Sequence, residues 1–257
     1  MNNRVWILLS LLAIGRAHAE PVQPTPAARK SALDHFDAAL WDRLLKQFVD
    51  ENGRVDYARL RASKDDRAAL ETLYAEIARQ DVERLPSKNA KEAFYINAYN
   101  VIVWKGVVDE SPQSVDRDGF AFFKRQYLVG GRARSLDDLE KRGIHPVFHD
   151  ARVHMALNCA STGCPPLARE ALTPERLDQQ LDAAARAFCN TPRGVRYDAA
   201  AKTVFLSMLF HWYETDFAPN PIAWINACRA KDAQIPSDSK VAYVEYDWRL
   251  NDKAAPR

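Results

Sequence analysis

Apolar residues recur at helical spacing in the first half of the chain. Residues 33–49 carry one such stripe, which stops at the turn signal ENG at 51–53, and residues 58–80 carry a second. The run AFYINAYNVIVWKGVV at 93–108 is apolar nearly all the way round, and Ser87 before it is a typical N-cap. We therefore expect two amphipathic helices and one central buried helix.

Short extended segments alternate with further helices in the second half. The segment YLVGGRARS at 127–135 predicts a hairpin about its two glycines, and GVRYD with KTVFLS at 194–207 predicts another. Ser135 and Asp138 have the spacing of a capping box. Thr173 begins a helical pattern that ends at Cys189, and RVHMALN at 152–158 is typical of a short buried strand.

These elements indicate an α+β fold, with helices packed on a small antiparallel sheet of hairpins. We place a single domain at 33–252. Residues 1–19 have the pattern of a signal peptide, and the proline-rich segment 20–32 is expected to be a flexible lead-in. The chain is then periplasmic or secreted, with no stable membrane span after cleavage.

Charge excludes one class of partner. The whole chain has a net charge of +2, and Arg4 and Arg16 lie in the predicted signal peptide, so the remainder has no net charge. Nucleic acid is therefore not an expected partner, whereas a small molecule or peptide is. The sequence does not determine a cofactor, and we assign no residue as a metal ligand.

The stretch HMALNCASTGCPPL at 154–167 carries the candidate chemistry. It contains His154, Cys159 and Cys164, and three interpretations stay open: a disulfide that shapes a loop, a metal site, or a reactive thiol. A metal site would need a fourth ligand, for which the nearby candidates are His145, His149, Asp150 and Glu140. In an exported chain, the simplest disulfide pairing joins 159 to 164 and 189 to 228.

The reactive-thiol hypothesis assigns specific roles. Cys159 would be the nucleophile and His154 the base, with Asn97 or Asn158 as a polarising donor. The pocket would form where the helix that carries Asn97 and Asn100 meets the cysteine loop. Further candidates for binding residues are Asn100, Glu140, Cys164, Trp212 and Asp216.

Plainer interpretations apply to several neighbouring residues. His145 and His149 are expected to be solvated loop histidines. Trp212, Tyr213 and Phe217 are expected to belong to the core. For a reactive thiol, His211 could alternatively be brought in from a distant helix as the base, with Asp216 to orient it.

Four segments resemble the domain of unknown function 547 (DUF547) family. They are FYINAYN at 94–100, HMALNCASTGCPPL at 154–167, LSMLFHWYETDF at 206–217 and YDWRLN at 246–251. The resemblance implies one domain whose shared polar residues are Asn97, Asn100, Glu140, His154, Asn158, Cys159, Cys164, Trp212, Asp216 and Trp248. His211 departs from the family pattern, in which a lysine is frequent.

The resemblance implies no reaction. The hypothesis to test first is a thiol-dependent hydrolase or acyl-transferase that uses the His/Cys cluster. The alternatives are a non-catalytic binding module with a disulfide-stapled loop, or a His/Cys metal-binding protein.

Overall fold

The described part of the chain, residues 20–31 and 35–254 of the computed structural model, combines α-helices with short strands. The α-helices are α1 (Pro26–Ser31), α2 (Ala38–Phe48), α3 (Tyr57–Ala62), α4 (Lys64–Arg79), α5 (Lys88–Glu110), α6 (Arg117–Lys124), α7 (Leu136–Asp138), α8 (His145–Phe148), α9 (Leu177–Cys189), α10 (Leu209–Trp212) and α11 (Pro221–Ala227). The strands are β1 (Gln126–Val129), β2 (Arg132–Ser135), β3 (Val195–Asp198), β4 (Thr203–Ser207) and β5 (Lys240–Val244). A π-helical turn lies at Leu139–Ile144, and 3-10 helices lie at Val82–Arg84, Ala151–Met155, Glu214–Phe217 and Lys231–Ala233. The predicted signal peptide lies outside these residues.

The predicted central helix is confirmed as α5. Ser87 caps it, since its side chain accepts a hydrogen bond from the backbone N–H of Ala90 at 3.1 Å. Trp104 on α5 meets Trp41 of α2 edge to face, with ring centroids 4.8 Å apart, and both rings are buried. The main core is therefore built on α5.

Lys105 interrupts the apolar surface of α5. It is buried, and its ammonium pairs with Glu71 and with Asp109, the latter at 3.1 Å. A charge on this helix is tolerated because carboxylates neutralise it. Within the described residues, none of the helices combines the length and apolar character needed to cross a membrane.

The second predicted helix is split in two. The pattern over 58–80 predicts one helix, but α3 ends at Ala62 and α4 begins at Lys64. Ser63 caps α4 by accepting a hydrogen bond from the backbone N–H of Asp66 at 3.2 Å. The apolar periodicity continues across the boundary between α3 and α4. Ser63, as a typical N-cap residue, was therefore the only local signal of that boundary in the sequence.

The α+β class and both hairpins are confirmed. Strands β1 and β2 pair antiparallel, as do β3 and β4. Strand β5 lies parallel to β4, with Thr203 opposite Lys240, so the three-stranded sheet is mixed. The parallel partner arrives from a distant part of the sequence, which no local hairpin signal indicates.

The prediction of a strand at RVHMALN, residues 152–158, is wrong. Residues Ala151–Met155 form a 3-10 helix instead, which begins where the Asp150 carboxylate accepts from the backbone N–H of Arg152 at 2.9 Å. Arg152 then anchors the turn through ion pairs with Asp150, Asp178 and Asp182. Tertiary charge pairing thus overrides the local apolar pattern.

The segment that precedes the first predicted helix has regular structure that the sequence did not indicate. Helix α1 packs on α4, and the hydroxyl of Tyr74 on α4 donates to the carbonyl of Val22. Val22 also pairs with Tyr127 of β1.

Candidate functional site

A cavity of about 570 Å³ lies beside the cysteine loop. Its walls combine aromatic rings with a few charged groups. The lining residues are Tyr99, Phe120, Phe123, Lys124, Asp137, Glu140, Lys141, His154, Leu157, Cys159, Cys164, Pro165, Leu209, Trp212, Tyr213, Tyr246 and Trp248. A concave, largely aromatic surface with a few polar groups is the usual form of a small-molecule site.

The Asn158 side chain holds the cysteine loop in shape. Its amide donates to the carbonyl of Pro165 at 2.9 Å, and its oxygen accepts from the N–H of Ala160 at 3.0 Å. The Asn251 amide donates to the same oxygen at 3.0 Å. Asn158 thus acts as a structural clamp in this geometry, because its oxygen and its amide are both bonded to the surrounding fold.

Asn97 and Asn100 clamp backbone in the same way. The Asn97 amide donates to the carbonyl of Leu172 at 2.8 Å and its oxygen accepts from the Leu172 N–H at 3.1 Å. The Asn100 amide donates to the carbonyl of Ala156 at 3.0 Å. Both asparagines line a separate gap of about 20 Å³, so the structure does not bring them into the large cavity.

Cys159 and Cys164 form a disulfide in the cavity wall. Their sulfur atoms are 2.21 Å apart, and the bond closes a loop of five positions. The hydroxyl of Ser161 donates to that of Tyr246 at 3.1 Å, and the Tyr246 hydroxyl donates to the sulfur of Cys164 at 3.3 Å. Cys159 is half-buried whereas Cys164 is buried, so Cys159 is the more accessible sulfur.

His154 is bonded to a carboxylate rather than to a cysteine. Its Nε2 lies 2.7 Å from Oδ2 of Asp216, and the His154 side chain is only 2% exposed, against 39% for Asp216. Because a carboxylate only accepts, Nε2–H donates and the Nδ1 lone pair is left. Burial, and then the charge of neighbouring His145, lowers the pKa of His154 to about 4.

His145 is the second histidine of this cluster, and the prediction that it is solvated is wrong. Its ring centroid lies 4.0 Å from that of His154, and burial lowers the pKa of His145 to about 4. Its Nε2 is shielded from solvent and has no hydrogen-bond partner among the described residues. The neighbouring His149 is exposed, as predicted.

Glu140 reaches the cavity from the π-helical turn. Its carboxylate accepts from the hydroxyl of Tyr99 at 3.1 Å and from that of Tyr213. Burial and this carboxylate raise the pKa of both phenols, so they remain protonated donors. Tyr213 also covers the histidines, with its ring centroid 4.0 Å from that of His154.

Three aromatic rings form the outer wall. Trp212 stacks on Trp248 with ring centroids 5.6 Å apart, and Tyr246 lies 4.9 Å from Trp212 and 4.5 Å from Trp248. Trp212 is 43% exposed, so the prediction that it belongs to the core is wrong. The same prediction is confirmed for Phe217, which is fully buried.

The family comparison covers two of the four segments that resemble DUF547, FYINAYN at 94–100 and HMALNCASTGCPPL at 154–167. Residues 82–189 match the model of a family described as a protein of unknown function, DUF547. Over these residues the chain is similar to the DUF547 family. Comparison with curated proteins and with solved structures gave no match for this chain.

The matched DUF547 region supplies only part of the cavity. It includes Glu140, His154 and both bonded cysteines, but it ends before Trp212 and Trp248. The 3-10 helix that carries Asp216 also follows it. The cavity therefore combines residues of the matched region with side chains from the C-terminal third of the chain.

The second predicted disulfide, between Cys189 and Cys228, is absent from the described structure. Cys189 and Cys228 are both free thiols. A hydrogen bond to Cys228, together with burial, raises the pKa of the Cys189 thiol. The two cysteines are neighbours, but the preference for pairing in exported chains does not decide whether neighbours bond.

The sequence did not point to Tyr213 or Tyr246 as site residues, and it offered His145 only as one of four candidate fourth ligands of a His/Cys metal site. His145 precedes a proline in an apparent loop, and a loop histidine is usually solvated. Tyr246 lies in a strand-like segment far from the cysteines in sequence. The run of aromatics at 243–248 was the one available signal, since exposed aromatics often mark binding surfaces.

Proposed function

We propose that this DUF547-like domain is a binding module for a small organic cation with an apolar, planar part. Support comes from one juxtaposition: the Glu140 carboxylate lies in a cavity whose wall contains Trp212, Tyr246 and Trp248. Aromatic faces attract cations, and a carboxylate with remaining lone pairs accepts a donor such as an ammonium group.

Neither lysine of the cavity forms an ion pair with Glu140. Lys141 pairs with Asp137 at 3.1 Å, and Lys124 donates to the carbonyl of Gly119 at 2.7 Å. Both ammonium groups are thus engaged elsewhere. Glu140 instead accepts from two neutral phenols, so an incoming cation would neutralise its charge.

Phenethylamine and phenylacetate test the proposal as a matched pair of probes. Binding is measured by quenching of tryptophan fluorescence and by saturation-transfer NMR. We expect phenethylamine to bind more tightly than phenylacetate, because only the amine can pair with Glu140. Equal binding of the two probes, or tighter binding of phenylacetate, would overturn the proposal.

Variants locate the binding. Glu140→Gln keeps the side-chain shape and removes the charge, so it should abolish the preference for phenethylamine. Trp212→Ala should weaken the binding of both probes, because the aromatic surface on which they stack is lost. Glu214→Gln, an exposed acid outside the cavity lining, serves as the control and should leave binding unchanged.

A second candidate is the thiol-dependent hydrolase or acyl-transferase. The observation that favours it is that Cys159 and His154 line the same cavity. The disulfide must first be reduced, because only a thiolate attacks a carbonyl carbon. Asp216 would then orient His154, whose neutral imidazole could take the thiol proton.

Ester hydrolysis by reduced protein tests this candidate. p-Nitrophenyl acetate should be turned over only after reduction, and Cys159→Ser should remove the activity. Cys228→Ser replaces a thiol outside the cavity lining and should not change it. Turnover that is independent of reduction, or that survives Cys159→Ser, contradicts a cysteine nucleophile.

We also propose that the protein is exported to the periplasm or beyond. The pattern at 1–19 supports this, and an oxidising compartment would preserve the bond between Cys159 and Cys164. Cell fractionation, with the N-terminal residue of the mature protein determined, is the test. An uncleaved protein found in the cytoplasm would refute export.

A further inference from the structure

Three elements bring metal-ligating side chains to one point. His145 opens α8, His154 lies on the 3-10 helix Ala151–Met155, and Asp216 lies on the 3-10 helix Glu214–Phe217. Each offers one ligand atom, and these atoms all lie within 4.8 Å of one another.

The spacing suits a tetrahedral ion after a small rearrangement, in which the 2.7 Å hydrogen bond between Nε2 of His154 and Asp216 gives way and the wider pairs close. Zinc binds nitrogen and oxygen ligands at about 2.1 Å, which places two ligand atoms of a tetrahedral site roughly 3.4 Å apart. The widest pair of the cluster must therefore close by about 1.4 Å at most. Asp216 is partly exposed and can move, whereas packing against Tyr213 and Phe217 holds the His154 ring.

We infer that His145, His154 and Asp216 form a binding site for a divalent transition-metal ion such as zinc. Two imidazoles and one carboxylate are the protein ligands of one class of catalytic zinc site, in which a fourth position stays open. The shielded, unpartnered Nε2 of His145 supports the inference, since a buried ring nitrogen needs a partner.

This site differs from the His/Cys site considered from the sequence. Cys159 and Cys164 are bonded to each other, so neither sulfur is a free thiolate ligand. The carboxylate of Asp216 takes their place as the third ligand. Because His154 lines the large cavity, a water or a polar group of a molecule in that cavity could occupy the open position.

The metal proposal goes beyond the ligand proposal and does not rest on it. Zinc is added without any organic probe, and Glu140 is not a ligand. A protein that binds zinc but not phenethylamine would support the metal proposal and overturn the ligand proposal. A protein that binds phenethylamine but not zinc would support the ligand proposal and overturn the metal proposal.

Calorimetric titration with zinc is the main experiment, on purified protein freed of metal by a chelator. We expect one bound ion. His145→Ala should weaken binding by roughly 100-fold or more, since loss of even a second-shell partner costs about 10- to 100-fold. His211→Ala, which removes an exposed histidine outside the cluster, is the matched control and should bind as the unmodified chain does.

Asp216→Asn is a second variant, chosen because it should still fold if His145→Ala does not. The side chain is partly exposed, and asparagine preserves its shape, so the variant should melt as the unmodified chain does. It should lose at least about tenfold in zinc affinity, because an amide oxygen is a weaker zinc ligand than a carboxylate.

Cobalt identifies the ligand atoms. A cobalt complex with nitrogen and oxygen ligands shows visible ligand-field bands without thiolate-to-metal charge transfer in the near ultraviolet. That spectrum is expected here, and it should be lost in His145→Ala. Absence of metal binding, a thiolate band, or unchanged affinity in both His145→Ala and Asp216→Asn would overturn the site.

Discussion

Glu92 gives a direct test of the electrostatics inside the fold. It lies on α5 with only 4% of its surface exposed, and its Oε1 has no hydrogen-bond partner among the described residues. Burial, and then the charge of Asp150, raises the pKa of Glu92 from 4.5 to about 7. Lys88 and Arg152 offset part of this effect.

The raised pKa sets the direction and size of a pH effect on stability. The folded chain keeps a proton that the unfolded chain releases, so the stabilisation is complete below the unfolded pKa of 4.5 and is lost as pH rises through about 7. One pKa unit corresponds to about 1.4 kcal/mol, so the ionised carboxylate costs about 3 kcal/mol at alkaline pH.

The variant Glu92→Gln removes this titration while it preserves the side-chain shape. Relative to the unmodified chain, its free energy of unfolding should rise by about 2–3 kcal/mol between roughly pH 5 and pH 8. Urea denaturation followed by tryptophan fluorescence at several pH values measures the difference. The exposed Glu175→Gln, which also removes one carboxylate, is the control variant. A constant difference for Glu92→Gln, or one that falls with pH, would refute the reasoning.

Three further predictions concern the cysteine loop and α5. Replacing Cys159 and Cys164 together by serine should lower the free energy of unfolding by about 2 kcal/mol, because the loop they close is short; a loss of all folded signal in urea melts would contradict this. Gly163→Ala should weaken phenethylamine binding, because the new Cβ would lie 2.9 Å from the Tyr246 ring and displace it; unchanged quenching would show that the wall yields. Ser87→Ala should cost about 1 kcal/mol through loss of the α5 cap, and Ser87→Thr should cost less; equal melts for the three proteins would argue against the cap.

Local chemistry decided the elements that the sequence predicted well. The apolar surface of α5, its cap at Ser87 and the capping box at Ser135 depend on residues a few positions apart, and all three are confirmed. The two hairpins are confirmed for the same reason. Where a distant charge pair competed, as at Arg152, local periodicity predicted the wrong element.

The sequence also identified several candidate residues that the structure places at the cavity. His154, Cys159 and Glu140 were singled out by residue type and by family resemblance, and all three line the cavity. Residue type could not decide what each one contacts. Asn97 has the same chemistry in a clamp as in a catalytic site, and only its bonds to the Leu172 backbone show which arrangement the fold adopts.

Only the tertiary structure decided the partners. Asp216 reaches His154 from the 3-10 helix Glu214–Phe217, and Trp248 reaches Trp212 from beyond β5. His145 turns inward because α8 places it against the His154 ring. Such contacts join residues that are far apart in the chain, and they depend on how whole elements pack, which no local pattern of apolar and polar residues encodes.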